Sequence, residues 1–192
     1  MQHTVQPSDI KQALTVLREG GLILYPTDTI WGIGCDATNT EAVEKVHQLK
    51  GRNLEKSFII LLSSESQLQS YVEEIPEVAY QLIEYADKPL TIVYSSAKNI
   101  APNAVAADGS IGIRIVKHPF CEQLLQRFRK PILSTSANIS GQPSPTTYAE
   151  ISPEIIQGVD YVTQYGREFQ EAAKPSTIIK LDTGGKFTFI RK

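Results

Sequence analysis

The amino-acid sequence predicts an α/β or α+β fold in which helices flank a mixed β-sheet. Helix-type and strand-type apolar patterns alternate along most of the chain. Because parallel strands need crossover connections and helices usually supply them, this alternation favours a mixed sheet. The chain has 192 residues and 41% hydrophobic composition, which is enough for one sizeable core. We therefore expect a single domain over residues 1–192.

The N-terminal elements are marked by a cap candidate and by helix and strand breakers. Ser8 is a candidate N-cap for a helix with one apolar stripe, and Gly20-Gly21 predicts where that helix ends. The apolar run 22–25 then predicts a buried strand, which Pro26 ends.

The next elements continue the alternation. A second amphipathic helix begins near Glu41 and ends where Gly51 interrupts its pattern. The apolar run 58–62 predicts another buried strand, and helical periodicity follows at 65–71 and 76–85. The sequence therefore returns from helix to strand at least twice before its midpoint.

The second half begins with two strand signals. Residues 90–94 are strand-like, and isoleucines at alternate positions of 111–115 predict a strand with one face in the core. Arg114 then projects from the other face and becomes a candidate cleft residue. A helix is predicted from Pro119 to Phe128.

The remaining sequence is predicted as a short strand, a long loop and a terminal group of strands. The run 131–133 predicts the strand, and residues rich in Gly, Pro, Ser and Thr predict a loop through Thr147. A helix is predicted near 148–157. Further strands are predicted near Tyr161, at 176–181 and at 187–190.

Two short polar signatures stand where regular elements break: Lys50-Gly51-Arg52 and Ser134-Thr-Ser-Ala-Asn138. In extended chain, residues two apart share a face, so each signature would present two polar groups to one side. We expect Gly51 to favour that extended form, and the two pairs to meet around one anion. Two other interpretations stay open: solvated cations at a helix C-terminus, and ordinary turn chemistry of Ser and Asn.

Most common active-site signatures are absent from the sequence. It contains no Walker-type phosphate loop, no G-x-G-x-x-G after a strand and no zinc-binding pattern. The net charge of −2 gives no global attraction to nucleic acid or an anionic membrane. Without a signal peptide or an apolar run of membrane-spanning length, we expect a cytoplasmic protein that does not bind membranes.

Five blocks carry a resemblance to a known family. They are Tyr25 to Gly34 (YPTDTIWGIG), Lys50-Gly51-Arg52, Ile111 to Arg114 with His118-Pro119, Ser134 to Asn138, and Pro175 to Ile179. In this order, they resemble the YrdC-like family of threonylcarbamoyl-AMP synthases, in its short, single-domain type. The resemblance implies a twisted, open mixed sheet with flanking helices and a concave active-site face.

The resemblance also implies roles for individual residues. It assigns catalysis to Lys50, Arg52, Ser136 and Asn138. It assigns L-threonine binding to Thr29, Arg114, Ser134 and Ser176. It assigns ATP binding to Arg52, Lys56, Ser110, Ser136, Ser144 and Arg191. A planar guanidinium can hold a carboxylate through two hydrogen bonds, which suits the role implied for Arg114.

The implied reaction joins L-threonine, bicarbonate or carbon dioxide, and ATP into threonylcarbamoyl-AMP and pyrophosphate, for tRNA modification. We expect Mg²⁺ to accompany ATP without a dedicated protein cage, since pyrophosphate leaves poorly without it. The expected recipient of the product is a downstream threonylcarbamoyl-transferase complex, and tRNA or double-stranded RNA is a further expected partner.

The sequence departs from the family pattern at Asn53, Lys56, Leu61 and the run 86–89, where Ala-Asp-Lys-Pro replaces a usual Trp-Pro-Gly-Pro. These departures bear on the ATP contacts. Two alternatives to the synthase therefore remain: a paralogue that hydrolyses nucleotides without threonine, and a module that binds double-stranded RNA or tRNA.

Overall fold

The computed structural model describes residues 4–51, 58–172 and 174–192. Within these ranges the α-helices are α1 (Pro7–Arg18), α2 (Thr40–Lys50), α3 (Leu68–Tyr71), α4 (Val78–Glu84), α5 (Pro119–Phe128) and α6 (Pro153–Gln157). Short 3₁₀ helices cover Glu65–Gln67, Pro102–Ala104 and Tyr148–Glu150. The strands are β1 (Ile23–Tyr25), β2 (Gly32–Asp36), β3 (Ile59–Leu62), β4 (Leu90–Tyr94), β5 (Ile111–Ile115), β6 (Ile132–Ser136), β7 (Tyr161–Val162), β8 (Thr177–Leu181) and β9 (Phe187–Arg191).

All the described strands join one mixed sheet in the order β7-β1-β2-β6-β3-β5-β4-β8-β9. The sheet contains both parallel and antiparallel pairs: β3 runs parallel to β5, whereas β2 and β3 both run antiparallel to β6. Neighbouring strands near the middle of the sheet come from distant parts of the chain. The pairing of β2 with β6, for example, places residues 32–36 beside residues 132–136.

Each face of the sheet carries its own hydrophobic cluster. Alternate residues of β1 show this, since Ile23 and Tyr25 belong to the cluster that includes α1 and α5, while Leu24 belongs to the other. That second cluster is the larger and includes buried residues of α2, such as Val43 and Val46. The flanking helices thus cover both faces, which confirms the mixed α/β prediction. Among the described residues, no helix has the length and apolar character needed to cross a membrane.

Two local predictions were wrong. Helix α1 begins at Pro7 with Gln6 as N-cap, so Ser8 lies inside the helix and does not cap it. Proline suits this first position because its missing N–H would have had no intrahelical partner. Lys50 is the last residue of α2, and Gly51 closes the helix in the left-handed region, at φ 55° and ψ 36°. The extended form expected around Gly51 is therefore not adopted there.

Strand β2 was not predicted. Its sequence, Gly-Ile-Gly-Cys-Asp, has small residues where an alternating strand would carry large apolar ones, so the strand pattern is weak. All five of its residues are nevertheless buried, because β1 and β6 flank it on both sides. The position of β2 is thus set by neighbours distant in sequence.

Candidate active site

A cavity of about 320 Å³ opens on the sheet where β2, β5 and β6 lie near one another. This volume falls at the lower end of the range for small-molecule sites, about 300–1,000 Å³. Its polar lining consists almost entirely of hydroxyl groups and guanidinium groups. The hydroxyl-bearing lining residues are Thr27, Thr29, Thr91, Ser134, Thr135, Ser136, Ser144 and Ser176, and the cationic ones are Arg114 and Arg191.

Arg114 is a buried cation held on β5. Its Nη2 atom lies 3.1 Å from Oδ1 of Asp28, and the side chains are only 5% and 8% exposed. Burial raises the pKa of Asp28 above its ordinary value of 3.8, although the positive charge of Arg114 acts against this rise. The pair fixes the guanidinium at the cavity wall, and Arg114 still presents further N–H groups.

Arg191, on β9, brings a second guanidinium to the same cavity. Its Nε donates to the carbonyl of Ser176 at 3.0 Å, and its Nη2 donates to Ser176 Oγ at 3.4 Å. Burial, together with the positive charge of Arg114, lowers the pKa of Arg191. Because the two cations repel each other across the cavity, an anionic ligand between them would relieve that repulsion.

The hydroxyl groups of Thr27 and Thr29 have a defined hydrogen-bond direction. Thr27 Oγ1 donates its one hydrogen to the carbonyl of Ile30 at 2.8 Å. The 2.9 Å contact between Thr27 Oγ1 and Thr29 Oγ1 must therefore use the hydrogen of Thr29. Thr29 consequently offers only lone pairs to the cavity, which suits an N–H or O–H group of a ligand.

Ser134 and Ser136 reach the cavity from β6 because β2 opposite them carries glycine. Gly32 pairs with Ser136, and Gly34 pairs with Ser134. A Cβ atom on Gly32 would lie 2.9 Å from Ser134 Oγ, too close for the serine hydroxyl to keep its position. The bare backbone of β2 therefore leaves room for both hydroxyl groups.

Lys50 lies beside the turn that follows β6. It is 3% exposed, and its Nζ donates to the carbonyls of Ser136 and Asn138, both at 2.6 Å. The Lys50 carbonyl in turn accepts a hydrogen bond from the Ser140 amide at 2.9 Å. Lys50, at the end of α2, thus stabilises the turn in two ways: its ammonium group donates hydrogen bonds to the turn, and its backbone carbonyl accepts one from it.

Asn138 stabilises the loop after this turn. Its Nδ2 donates to the carbonyls of Ile139 at 3.0 Å and Gln142 at 2.7 Å. Its Oδ1 is buried and has no hydrogen-bond partner in the described part of the chain. Asn138 Oδ1 can therefore accept a hydrogen bond from a ligand or from a nearby residue that changes conformation.

The structure brings most of the predicted residues to one cavity. The predicted residues that line it are Thr29, Arg114, Ser134, Ser136, Ser144, Ser176 and Arg191. Lys50 and Asn138 are not among the described lining residues but contact the Ser136 turn. Ser110 lies elsewhere, with its hydroxyl donating to Asp108 at 2.6 Å. Arg52 and Lys56 lie outside the described residues, so their roles stay predictions.

Other lining residues were missed as site candidates. Thr27 and Thr135 line the cavity although neither was predicted to, and Thr135 stands between the predicted Ser134 and Ser136 in the sequence. Trp31 is 4% exposed, also lines the cavity, and its ring centroid lies 5.0 Å from that of Tyr148. The glycines of β2 were the available signal for a cavity, since paired small residues leave space beside a strand.

Comparison with known proteins decides the family. The family model Sua5_yciO_yrdC, described as "Telomere recombination", matches residues 15–192. The chain belongs to the Sua5/YciO/YrdC family. This agrees with the resemblance that the sequence blocks indicated.

Relatives and solved structures of this family are similar over most of the chain. A threonylcarbamoyl-AMP synthase of Pseudoalteromonas translucida is 35% identical over 157 residues, which is 80% of this chain and 84% of the relative. A putative threonylcarbamoyl-AMP synthase of Methanocaldococcus jannaschii is 38% identical over 164 residues, 85% of this chain and 75% of the relative.

A solved structure, P. abyssi Sua5 complexed with L-threonine, aligns with a TM-score of 0.79 and 28% identity. The alignment covers 93% of this chain and 52% of the Sua5 chain. The present chain therefore spans about half the length of that protein.

Proposed function

We propose that this protein is a threonylcarbamoyl-AMP synthase. In the proposed reaction, L-threonine, bicarbonate or carbon dioxide, and ATP give threonylcarbamoyl-AMP and pyrophosphate. The observation that carries the proposal is the cavity itself, where Arg114, Ser134 and Thr29 lie together as the family resemblance implies. Relatives named as such synthases, at 35% and 38% identity, support it.

The proposed amino-acid site uses the buried part of the lining. Arg114 would hold the threonine carboxylate, since its guanidinium is fixed by Asp28 at 3.1 Å. Thr29, with its hydrogen already donated to Thr27, would accept from the threonine amine or side-chain hydroxyl. The L-threonine complex of the P. abyssi relative supports an amino-acid site in this fold.

The proposed chemistry begins when the neutral threonine amine attacks carbon dioxide and loses a proton, which forms a carbamate. A carbamate oxygen then attacks the α-phosphorus of ATP, and the bond from that phosphorus to the β-phosphate oxygen breaks. Carboxylate, carbamate and phosphates must approach one another, so the site has to offset several negative charges. Arg114 and Arg191 supply positive charge at the cavity, where fixed groups stabilise a transition state without reorganising.

The nucleotide would contact the more exposed residues of the lining, together with Arg52 and Lys56 from the sequence prediction. Ser144 and Arg191 are exposed and line the same cavity. Lys50 would act next to them by keeping the Ser136 backbone in place through its two 2.6 Å hydrogen bonds. Ser136 and Asn138 would orient the reacting groups without adding charge.

Mg²⁺ is proposed to arrive with ATP as part of the substrate. The residues that the structure describes include no group of three or more histidine, cysteine, aspartate or glutamate side chains that could hold a metal ion. The bound cation would neutralise the phosphates of ATP. The adenylate product would then pass to a transferase complex that completes the tRNA modification.

Pyrophosphate release with and without L-threonine tests the proposal. The synthase requires bicarbonate-dependent and threonine-dependent release, with threonylcarbamoyl-AMP identified by mass spectrometry. Hydrolysis of ATP without threonine would instead favour the nucleotide-hydrolysing paralogue. No turnover, combined with tight binding of double-stranded RNA or tRNA, would favour the RNA-binding module. Lys130→Met is a suitable control variant, because Lys130 pairs with Asp36 and does not line the cavity.

A further inference from the structure

A buried hydrogen bond connects Tyr25 to the cavity without Tyr25 lining it. Tyr25 is 0% exposed on β1, and its hydroxyl donates to Ser134 Oγ on β6 at 3.0 Å. Strand β2 lies between β1 and β6 in the sheet. The tyrosine ring therefore reaches across a whole strand to meet the serine.

Glycine on β2 makes this reach sterically possible. A Cβ atom on Gly34 would lie 2.7 Å from Cε1 of the Tyr25 ring, a distance that would force the ring to move. Gly32 lies two residues earlier on the same face of β2. A Cβ atom added to Gly32 would lie 2.9 Å from Ser134 Oγ, so the absence of a side chain there leaves room for the serine hydroxyl. The Gly-Ile-Gly sequence thus clears one face of β2 for the Tyr25–Ser134 pair.

The direction of this hydrogen bond determines what Ser134 can offer to a ligand. Burial raises the pKa of Tyr25, so the phenol stays protonated and remains a donor over the physiological range. Ser134 Oγ accepts that hydrogen, and Ser134 makes no other side-chain hydrogen bond with described residues. Its own hydrogen is therefore left to donate into the cavity that Ser134 lines.

We propose that Tyr25 is a positioning residue that fixes Ser134 as a hydrogen-bond donor to the carboxylate of the amino-acid substrate. The inference rests on the proposed function. In the same cavity Thr29 is fixed as an acceptor through Thr27, so the two hydroxyl groups have opposite polarity. One donor and one acceptor in the cavity that Arg114 also lines would select both the identity and the orientation of an amino acid.

A double-mutant cycle on Tyr25 and Ser134 tests this inference. Tyr25→Phe removes one oxygen and keeps the ring that fills the space over Gly34. It should raise the KM for threonine about 3- to 10-fold, the range expected for one neutral hydrogen bond, and leave the KM for ATP unchanged. Because Tyr25 acts through Ser134, adding Tyr25→Phe to Ser134→Ala should raise the threonine KM by less than 2-fold.

Tyr94→Phe is the matched control. Tyr94 is also almost fully buried, at 1% exposure, and its hydroxyl has no hydrogen-bond partner in the described part of the chain. It does not line the cavity, so its loss of a hydroxyl should leave the threonine KM unchanged. Melting curves of all variants would show whether each one folds.

Two results would overturn the positioning role while the wild-type enzyme turns over threonine. The first is a Tyr25→Phe effect of equal size with and without Ser134. The second is an unchanged threonine KM in Ser134→Ala, which needs no Tyr25 variant at all. A wild-type protein without threonine-dependent pyrophosphate release would instead overturn the synthase assignment, and the positioning role with it.

Discussion

Two groups of the residues that line the cavity differ sharply in exposure. The buried group is defined here as Thr27, Thr29, Arg114, Ser134 and Ser176, each at most 8% exposed, and the exposed group as Ser144, Ile190 and Arg191. Most hydroxyls of the buried group bond to other side chains, as in the 2.8 Å contact between Thr91 and Ser176. The buried group is thus preorganised by the fold, and its hydrogen bonds are set before a ligand arrives.

The two groups also differ in charge balance. Arg114 has Asp28 as a buried counterion, whereas Arg191 makes no ion pair with a described residue and is held through Ser176. The Arg114–Asp28 pair has no net charge when both groups are ionised. Recognition of a ligand carboxylate there therefore depends largely on the geometry of the guanidinium hydrogen bonds. At Arg191 a ligand meets uncompensated positive charge, which suits the phosphates proposed for the exposed group.

Lys50 holds the turn that follows β6, the strand that carries Ser134, so its loss should have the largest effect. Its Nζ holds the carbonyls of Ser136 and Asn138, and Lys50→Met would leave both carbonyls without this donor. We expect turnover to fall by more than about 100-fold and the free energy of unfolding to fall by about 2–4 kcal/mol. Steady-state kinetics and urea unfolding measure the two effects.

The Lys50 result also distinguishes a purely chemical role from a positioning one. A loss of turnover without any loss of stability would contradict the holding role and favour direct contact with substrate. Lys45→Met is the control, since Lys45 also lies on α2 and donates to a backbone carbonyl, that of Gly20, at 2.8 Å. It should keep full turnover because neither Lys45 nor Gly20 lines the cavity.

Arg114→Lys should affect the buried group alone. The charge is kept, but the planar fork that can hold a carboxylate is lost. Losing one charge-assisted hydrogen bond costs about 1.5–3 kcal/mol, or about 10- to over 100-fold in threonine affinity. Calorimetric titration with threonine and with a non-hydrolysable ATP analogue measures both ligands.

The contrast with Arg191→Lys sharpens this test. Arg191 belongs to the exposed group, so its substitution should weaken the ATP analogue more than threonine. An equal loss of both ligands in Arg114→Lys, or unchanged threonine affinity, would remove Arg114 from the proposed role.

Thr27→Val should have a smaller effect, transmitted through Thr29. In the wild type the Thr29 hydroxyl donates its hydrogen to Thr27 Oγ1. Without that oxygen, the Thr29 hydroxyl can turn its hydrogen toward the cavity and act as a donor as well as an acceptor. We expect the threonine KM to rise by about 3- to 10-fold, with ATP binding unchanged. Thr38→Val, which removes a hydroxyl donating to Asp36 at 2.6 Å, is the control. An equal KM change in both variants would contradict the proposed polarity of Thr29.

Sequence reasoning predicted strands well where apolar residues alternate or run together. It found β5 through its three isoleucines, and the cavity position of Arg114 followed from that alternation. It missed β2, because Gly32 and Gly34 give no apolar pattern. The family resemblance identified most of the hydroxyl-bearing and cationic lining residues, which periodicity alone would not have assigned to one site.

What sequence could not predict depends on pairing between distant strands. Tyr25 looked like one more apolar residue of a buried strand, and only the order β1-β2-β6 places its hydroxyl against Ser134. The extended form expected at Gly51 failed for a local reason. A glycine directly after an amphipathic helix readily adopts the left-handed closing conformation, and that alternative outweighed the extended one.

The smallest effect on catalysis should come from His118, which lies outside the cavity lining but should control the acid stability of the fold. Burial lowers the pKa of His118 from 6.5 to about 4. Its Nδ1 has no hydrogen-bond partner among the described residues, and its ring packs against Tyr165 at 5.8 Å. The neutral imidazole is therefore the form that the folded protein favours.

The sign of the pH effect follows from this lowered pKa. Above pH 6.5 the histidine is neutral in both states, and its contribution to stability is fully present. As the pH falls from 6.5 through about 4, the unfolded chain gains a proton that the folded protein resists, so stability is lost. The pKa difference corresponds to about 3 kcal/mol. His118→Gln should remove this part of the acid destabilisation while turnover at pH 8 stays within about 2-fold of wild type.

Urea unfolding of the wild type and His118→Gln, at intervals from pH 8 to pH 4, measures the difference directly. Other titrating groups, including Asp28, are common to both proteins and largely cancel when the two curves are subtracted. The free-energy difference should be constant above pH 7 and should shift in favour of the variant below pH 6.5. A difference that stays flat to pH 4 would mean that His118 is protonated without cost in the fold. A large loss of turnover at pH 8 would show that the catalytic site extends beyond the two groups of lining residues.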